Sequence, residues 1–281
     1  MKSVGVCYCP GLFVNMPYRL LDKYREYIFR FRINVEIGVR GDELDVVPVK
    51  EFEKLGKVLK SNDVMFTLHG PFWDLCPGSE DPLVRQVTRL RFHQLMDIAE
   101  VMRPVQVVLH TGFDPRHHRG LRDAWIERAV EVLESIVKRA EHAGFPIALE
   151  NVWEESPHVH RTIIDAINSP FLGFCLDVGH QNCFSRTPLK EWLNALHGNL
   201  LEIHIHDNNG KHDTHSPPGT GTVDFNFLFN FLFEKSIYPV LNTEPHNEKD
   251  FIETHENIKQ LIPTKFLNAY RKALAQTSIR T

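Results

Sequence analysis

The residues best suited to chemistry in this chain are histidines and carboxylates that end short apolar runs. Phe66-Thr67-Leu68 leads to His69, Val107-Val108-Leu109 to His110, Ile147-Ala148-Leu149 to Glu150, and Phe174-Cys175-Leu176 to Asp177. Further on, residues 201–205 carry His204, and Val240-Leu241-Asn242-Thr243 leads to Glu244. Taken singly, such a His is an ordinary hydrogen-bonded structural group, and such an Asp or Glu an ordinary helix cap or solvated charge. Taken together, carboxylates gathered at one place repel unless a cation joins them. Unpaired buried charge costs several kcal/mol per group, so the pattern points to bound metal. Two spacings sharpen it. Asp177-Val178-Gly179-His180 sets a carboxylate and an imidazole three residues apart across a glycine that can bend tightly. Asp213-Thr214-His215 brackets one spacer in a loop stiffened by Pro217-Pro218-Gly219. Mixed His/carboxylate ligands suit Zn²⁺ or Mn²⁺ better than Ca²⁺, and the absence of Cys argues against a closed structural zinc site.

Such residues need a frame that brings strand ends together. Short β-branched runs alternate with longer amphipathic stretches along the chain, the signature of repeated βα units. Strands are predicted over 4–9, 34–39, 65–70, 106–110, 147–150, 173–177, 201–206 and 240–244, with helices between them over 18–30, 49–59, 83–102, 123–142, 159–168, 189–196, 226–234 and 248–261. This predicts a single (β/α)8 TIM barrel spanning about 4–262, with a short polar C-terminal tail over 263–281; a doubly wound open sheet is the alternative. No linker-like stretch divides residues 1–281, and Ser216 to Gly221 reads as an active-site loop.

Composition sets the outer bounds. With 42% hydrophobic and 24% charged residues the chain is of ordinary globular type, and its net charge of −4 lowers the prospect of broad phosphate-backbone attraction. Cys7, Cys9, Cys76, Cys175 and Cys183 read as reduced thiols of a reducing compartment, and Cys7-x-Cys9 has the wrong spacing for zinc or redox work. The apolar N-terminus, broken by Pro10, reads as a first strand and not as a signal or membrane segment, so a cytoplasmic location is expected.

The motifs LHGPF (68–72), LHTG (109–112), LENVWE (149–154), LDVGH (176–180), HIHDNNGKHDTHSPPGTGTVDF (204–225) and TEPHN (243–247) resemble the xylose-isomerase-like barrel superfamily. Sugar isomerases and epimerases belong to it, as does endonuclease IV. Resemblance to the epimerase branch implies that Glu150, Asp177, His204 and Glu244 hold one divalent metal. It also implies that Glu150 and Glu244 act as the acid/base pair on opposite faces of a sugar carbon, with His180 and Lys211 contacting substrate oxygens. Resemblance to the nuclease branch implies a three-metal site on His69, His110, Glu150, Asp177, His180, His204, Asp213, His215 and Glu244. Against the nuclease stand the acidic charge, the lack of markedly basic loops, and Thr220 where that pattern carries glutamate. HGPFWDLCPGSEDP (69–82) is nearer to predicted sugar-phosphate isomerases/epimerases.

The expectation is therefore a metal-dependent isomerase or epimerase with one to three Zn²⁺ or Mn²⁺ ions and a small carbohydrate substrate. Nucleic acid and membrane partners are not expected, and nothing in the chain specifies an oligomeric state. An abasic-site nuclease or other phosphoesterase is the competing expectation, and a metal-binding barrel without catalysis the third. Phe72 and Trp73, on the loop after His69, are candidates to stack on a sugar ring or an extruded base. Residues 116–119 (Arg-His-His-Arg) offer a phosphate site or simply a solvated loop. Glu36 reads as a substrate or ligand contact or as a salt-bridged barrel residue, His206 as a substrate contact, and His206 and Asp207 also as groups that orient ligands.

Overall fold

A computed structural model describes residues 11–277. Eight parallel strands close into a barrel in sequence order, β1 to β8, with β1 pairing β8. They are β1 (Leu12–Pro17), β2 (Asn34–Gly38), β3 (Phe66–His69), β4 (Val107–His110), β5 (Ile147–Glu150), β6 (Leu172–Asp177), β7 (Leu200–Ile205) and β8 (Val240–Thr243). Helices follow the strands, and the inter-layer core is built from Val35, Ile37, Leu68, Leu109, Leu149 and Ile203 against Phe52, Phe92, Trp125, Ile136 and Trp192. The (β/α)8 barrel, not the open sheet, is the architecture.

Two boundaries differ from expectation. The first barrel strand is Leu12–Pro17, not residues 4–9, which lie outside the described residues together with Cys7 and Cys9. Asn15 and Pro17 interrupt the apolar pattern of this segment, which hides it as a strand; Asn15 is matched in register to Glu36 and hydrogen-bonds it at 3.1 Å. The segment after Ile262, expected as a polar tail, instead forms the helix Thr264–Thr277, which buries Phe266 and Tyr270 completely or nearly so. Tyr270 Oη donates to Gly11 O at 3.0 Å, joining this helix to the start of β1.

Helix starts carry side-chain caps where a rigid entry is needed. Asp81 accepts from Leu83 N at 2.8 Å with Pro82 at the first helical position, and Asp224 accepts from Phe227 N at 2.8 Å. Asp177 does the same at the end of β6, accepting from His180 N at 2.6 Å, so one carboxylate caps the short helix Val178–Phe184 and aligns its imidazole.

Candidate metal centre

The strand ends converge as the barrel requires. His69, His110, Glu150 and Asp177 are the last residues of β3, β4, β5 and β6, His204 is the penultimate residue of β7, and Glu244 follows β8. His180 comes from the helix after β6, and Asp213 and His215 from the loop after β7. All nine ligand-type residues meet at the C-terminal mouth of the barrel, where such barrels place their chemistry.

Their contacts fall into three overlapping groups. In the first, His69 Nε2 and His110 Nε2 lie 3.0 and 2.9 Å from Glu150 Oε2 and 3.1 Å from each other. In the second, His204 Nδ1 lies 3.2 Å from Glu244 Oε1, 3.4 Å from Glu150 Oε2 and 3.9 Å from Asp177 Oδ2. In the third, Asp213 Oδ2 lies 3.2 Å from His180 Nε2 and 3.1 Å from His215 Nε2, with His206 alongside. Glu150 belongs to the first two, and its Oε1 lies 3.4 Å from His180 Nδ1.

These residues fit divalent cations on chemical grounds. His69 Nδ1 is anchored at 3.0 Å on Gly70 O, and His180 Nδ1 at 3.0 Å on Asn151 O. Both carbonyls require an N–H, so a neutral ring turns its Nε2 lone pair toward Glu150 or Asp213, a repulsive contact until a positive charge enters. His204 Nδ1, Asp213 Oδ1 and His215 Nδ1 are buried without hydrogen-bond partners, which places orphaned ligand atoms where ions would bind. Proton affinities point the same way. Burial works against charge on His69, His180, His204 and His215, yet neighbouring carboxylates, together with Cys175 beside His204, raise all four, His180 and His204 strongly. Burial likewise opposes ionisation of Glu150, but the imidazoles of His110 and His204 hold its carboxyl well below the usual range. Asp177 and Asp213 are lowered against the same penalty by His180 and its neighbours. The pocket demands positive charge.

The substrate-contact candidates divide. Phe72 stacks on the His110 ring with centroids 4.4 Å apart and planes 11° apart. Phe72, Trp73, Phe113 and Trp153 line a cavity of about 210 Å³ beside His110, Trp73 being 74% exposed. His180 has both ring nitrogens turned to cluster atoms or Asn151. His206 is 1% exposed, sets Nε2 at 2.9 and 3.0 Å from the two Asp177 oxygens, stacks on His215 at 3.8 Å, and groups with His180, Asp213 and His215. Lys211 lies on an exposed turn of the loop after β7. Gly210 N and Lys211 N are held by Asn208 and Asn209 side chains at 2.9 and 3.0 Å, a turn that leaves the lysine exposed. In the loop after β4, Arg116 and His117 are tied to Asp114.

The loop carrying Asp213 and His215 is fixed by Asp207. Its Oδ1 accepts from Asn208 N and Val223 N, and its Oδ2 from Gly219 N and Gly221 N, at 2.8 to 3.1 Å. Gly221 is required there, because a Cβ would come 2.2 Å from Asn208 O. Gly179 matters for a reason other than a tight turn: a Cβ would come within 2.0 Å of the His206 ring.

Sequence reasoning left several contributors unassigned. Asn151 exchanges two 3.0 Å hydrogen bonds with the Asp177 backbone and also holds His180. His246 stacks on His215 at 4.2 Å. Asn15, Thr67, Gln106, Glu202 and Asn242 form a polar layer inside the barrel with Glu36. Their signal was available: polar side chains inside otherwise apolar buried strands.

Comparison with known proteins places this geometry. Two uncharacterized proteins of Methanocaldococcus jannaschii are similar, one 28% identical over 220 residues that cover 76% of this chain and 75% of the relative. The crystal structure of a D-tagatose 3-epimerase-like protein superposes with a TM-score of 0.77 and 25% identity, covering 94% of this chain and 99% of that one. A Thermus thermophilus protein whose crystal was soaked with zinc chloride has the same fold, with a TM-score of 0.76 and 22% identity over 89% of this chain and 97% of its own. A family model described as xylose isomerase-like TIM barrel matches residues 32–263, and on that match the chain belongs to the xylose isomerase-like TIM barrel family.

Proposed function

We propose that this protein is a divalent-metal-dependent isomerase or epimerase that moves a carbon-bound proton on a small sugar, sugar phosphate or related polyhydroxy compound through an enediolate. One observation carries the proposal: Glu150, which ends β5, and Glu244, which follows β8, lie 3.4 and 3.2 Å from the same atom, His204 Nδ1. Glu150, Asp177, His204 and Glu244 would hold Zn²⁺ or Mn²⁺, which when bound polarises a ketose carbonyl and stabilises charge on the enediolate oxygens. Glu244, with 12% of its side chain exposed, takes the proton from one face of the carbon; Glu150, deeper in the barrel and ionised at rest, takes the proton of the adjacent substrate hydroxyl and delivers it to the other face, while the proton on Glu244 restores the hydroxyl, so an epimerised carbon is inverted and both carboxylates are regenerated. Phe72 and Trp73 offer apolar faces to the C–H side of the sugar ring. Similarity to the D-tagatose 3-epimerase-like protein supports this substrate class. We read residues 1–281 as one domain acting in the cytoplasm; among the described residues no helix is long and apolar enough to cross a membrane.

Glu150→Gln and Glu244→Gln, assayed on free and phosphorylated ketoses in D₂O, should each lose about 10²- to 10⁴-fold in kcat and stop deuterium incorporation at the substrate carbon. Full turnover in both variants sinks the proton-transfer mechanism.

A phosphoester hydrolase has one observation in its favour: the Glu150 carboxylate is ringed by His69, His110 and His180, as a ligand shared between ions would be. Clustered metals would then generate hydroxide and clamp phosphate oxygens. Anomalous scattering from a metal-loaded crystal separates the two readings. About three ions per chain with nicking of abasic duplex supports the hydrolase; about one ion with no nicking removes it.

A further inference from the structure

We propose that Glu36 is a positioning residue that aims His204, and through Asn15 also Glu244, into the metal centre. The inference rests on the metal-dependent reading of the site. Glu36 lies on β2, its side chain is wholly buried, and its carboxylate is within reach of His204 and Glu244. Its Oε1 accepts from Asn242 Nδ2 at 2.7 Å and Asn15 Nδ2 at 3.1 Å, and its Oε2 from Thr67 Oγ1 at 3.2 Å. Donors from β8, β1 and β3 thus lock one carboxylate in place, with Asn15, Glu36 and Thr67 adjacent in strand register.

The locked carboxylate faces the back of a candidate ligand. Glu36 Oε1 lies 3.3 Å from His204 Nε2, whereas Nδ1 of the same ring faces Glu244, Glu150 and Asp177. Glu202 Oε1 stands 3.7 Å from Nε2 as well, its other oxygen tied to Gln106. A neutral imidazole has one N–H and one lone pair. Neither nitrogen of His204 has a hydrogen-bond partner in this geometry, so it is the charge of the Glu36 carboxylate behind Nε2 that favours the N–H there and leaves the lone pair on Nδ1, where the carboxylates converge. Asn15 adds a second link, because its Nδ2 also lies 3.5 Å from Glu244 Oε1.

The test is zinc binding by chelator-stripped protein, measured by competition calorimetry, with urea unfolding to confirm the fold. Glu36→Gln keeps the volume and removes the charge; its zinc Kd should rise about 10- to 100-fold, and Glu36→Asp should recover part of that loss. A folded Glu36→Gln protein with parental Kd overturns the proposal. A measurement on the parent needs no variant: ¹⁵N NMR of the zinc-loaded protein should show His204 protonated at Nε2, and a proton at Nδ1 instead overturns it. If the parent binds zinc and only these results fail, the positioning role falls alone. Parent protein that binds no zinc overturns the metal reading together with it.

Discussion

At the scale of single residues, the site depends on close contacts that leave no slack. Gly179 is the sharpest case, because a methyl group there would meet the His206 ring that holds both oxygens of Asp177. Gly179→Ala should therefore cost about 2 kcal/mol or more in urea unfolding, as overpacking of a buried contact does, and should weaken zinc binding by turning His206 away from Asp177. A variant with parental stability and parental zinc Kd would show that the contact relaxes freely. His69, His110, Glu150, Asp177, His204 and Glu244 were legible because each ends an apolar run, which is where a barrel strand delivers its side chain to the mouth. Glu36 and Asn151 were harder to read. Glu36 was noticed without a partner, since its partners Asn15 and Asn242 lie on β1 and β8, and no local spacing relates them.

At the scale of elements, seven strands were predicted within about a residue of where they lie, because buried parallel strands read as short apolar runs between helical patterns. β1 was misplaced because Asn15 points a polar group inward where the pattern expects an apolar one. The helix Thr264–Thr277 was missed since its buried face is narrow, yet Phe266 packs its ring 5.5 Å from Phe229, 5.8 Å from Tyr238 and 5.7 Å from Tyr270. Phe266→Ala should cost about 3–5 kcal/mol in urea unfolding, the range for a fully buried phenylalanine. A loss under about 1 kcal/mol would mean that this helix contributes little to the barrel.

Across the whole molecule, buried imidazoles couple stability to pH, and the clearest one lies away from the metal centre. His255, on the helix Glu248–Leu261, is buried against Phe251, and burial pushes it down to about 4. A histidine depressed on folding contributes its stability above the unfolded value near 6.5, and loses it as the pH falls from there toward 4. Between pH 7 and 4.5 this group should remove about 2 kcal/mol. His255→Met should show that much less loss over the same interval when urea midpoints are compared, whereas equal losses would exclude His255 as the source.

What the amino-acid order determined by itself was the inventory: eight βα units, the ligand-type residues at strand ends, and the motifs of the family. Period and spacing are local properties, and a barrel converts them directly into a ring of side chains at one rim. Tertiary structure alone decided which nitrogen of each histidine faces the pocket, how Glu150 is shared among four imidazoles, and which buried carboxylate stands behind His204. Those outcomes depend on distances of about 3 Å between residues far apart in the chain, and hydrogen bonds and Coulomb forces become decisive only when closure of the barrel excludes water from between them.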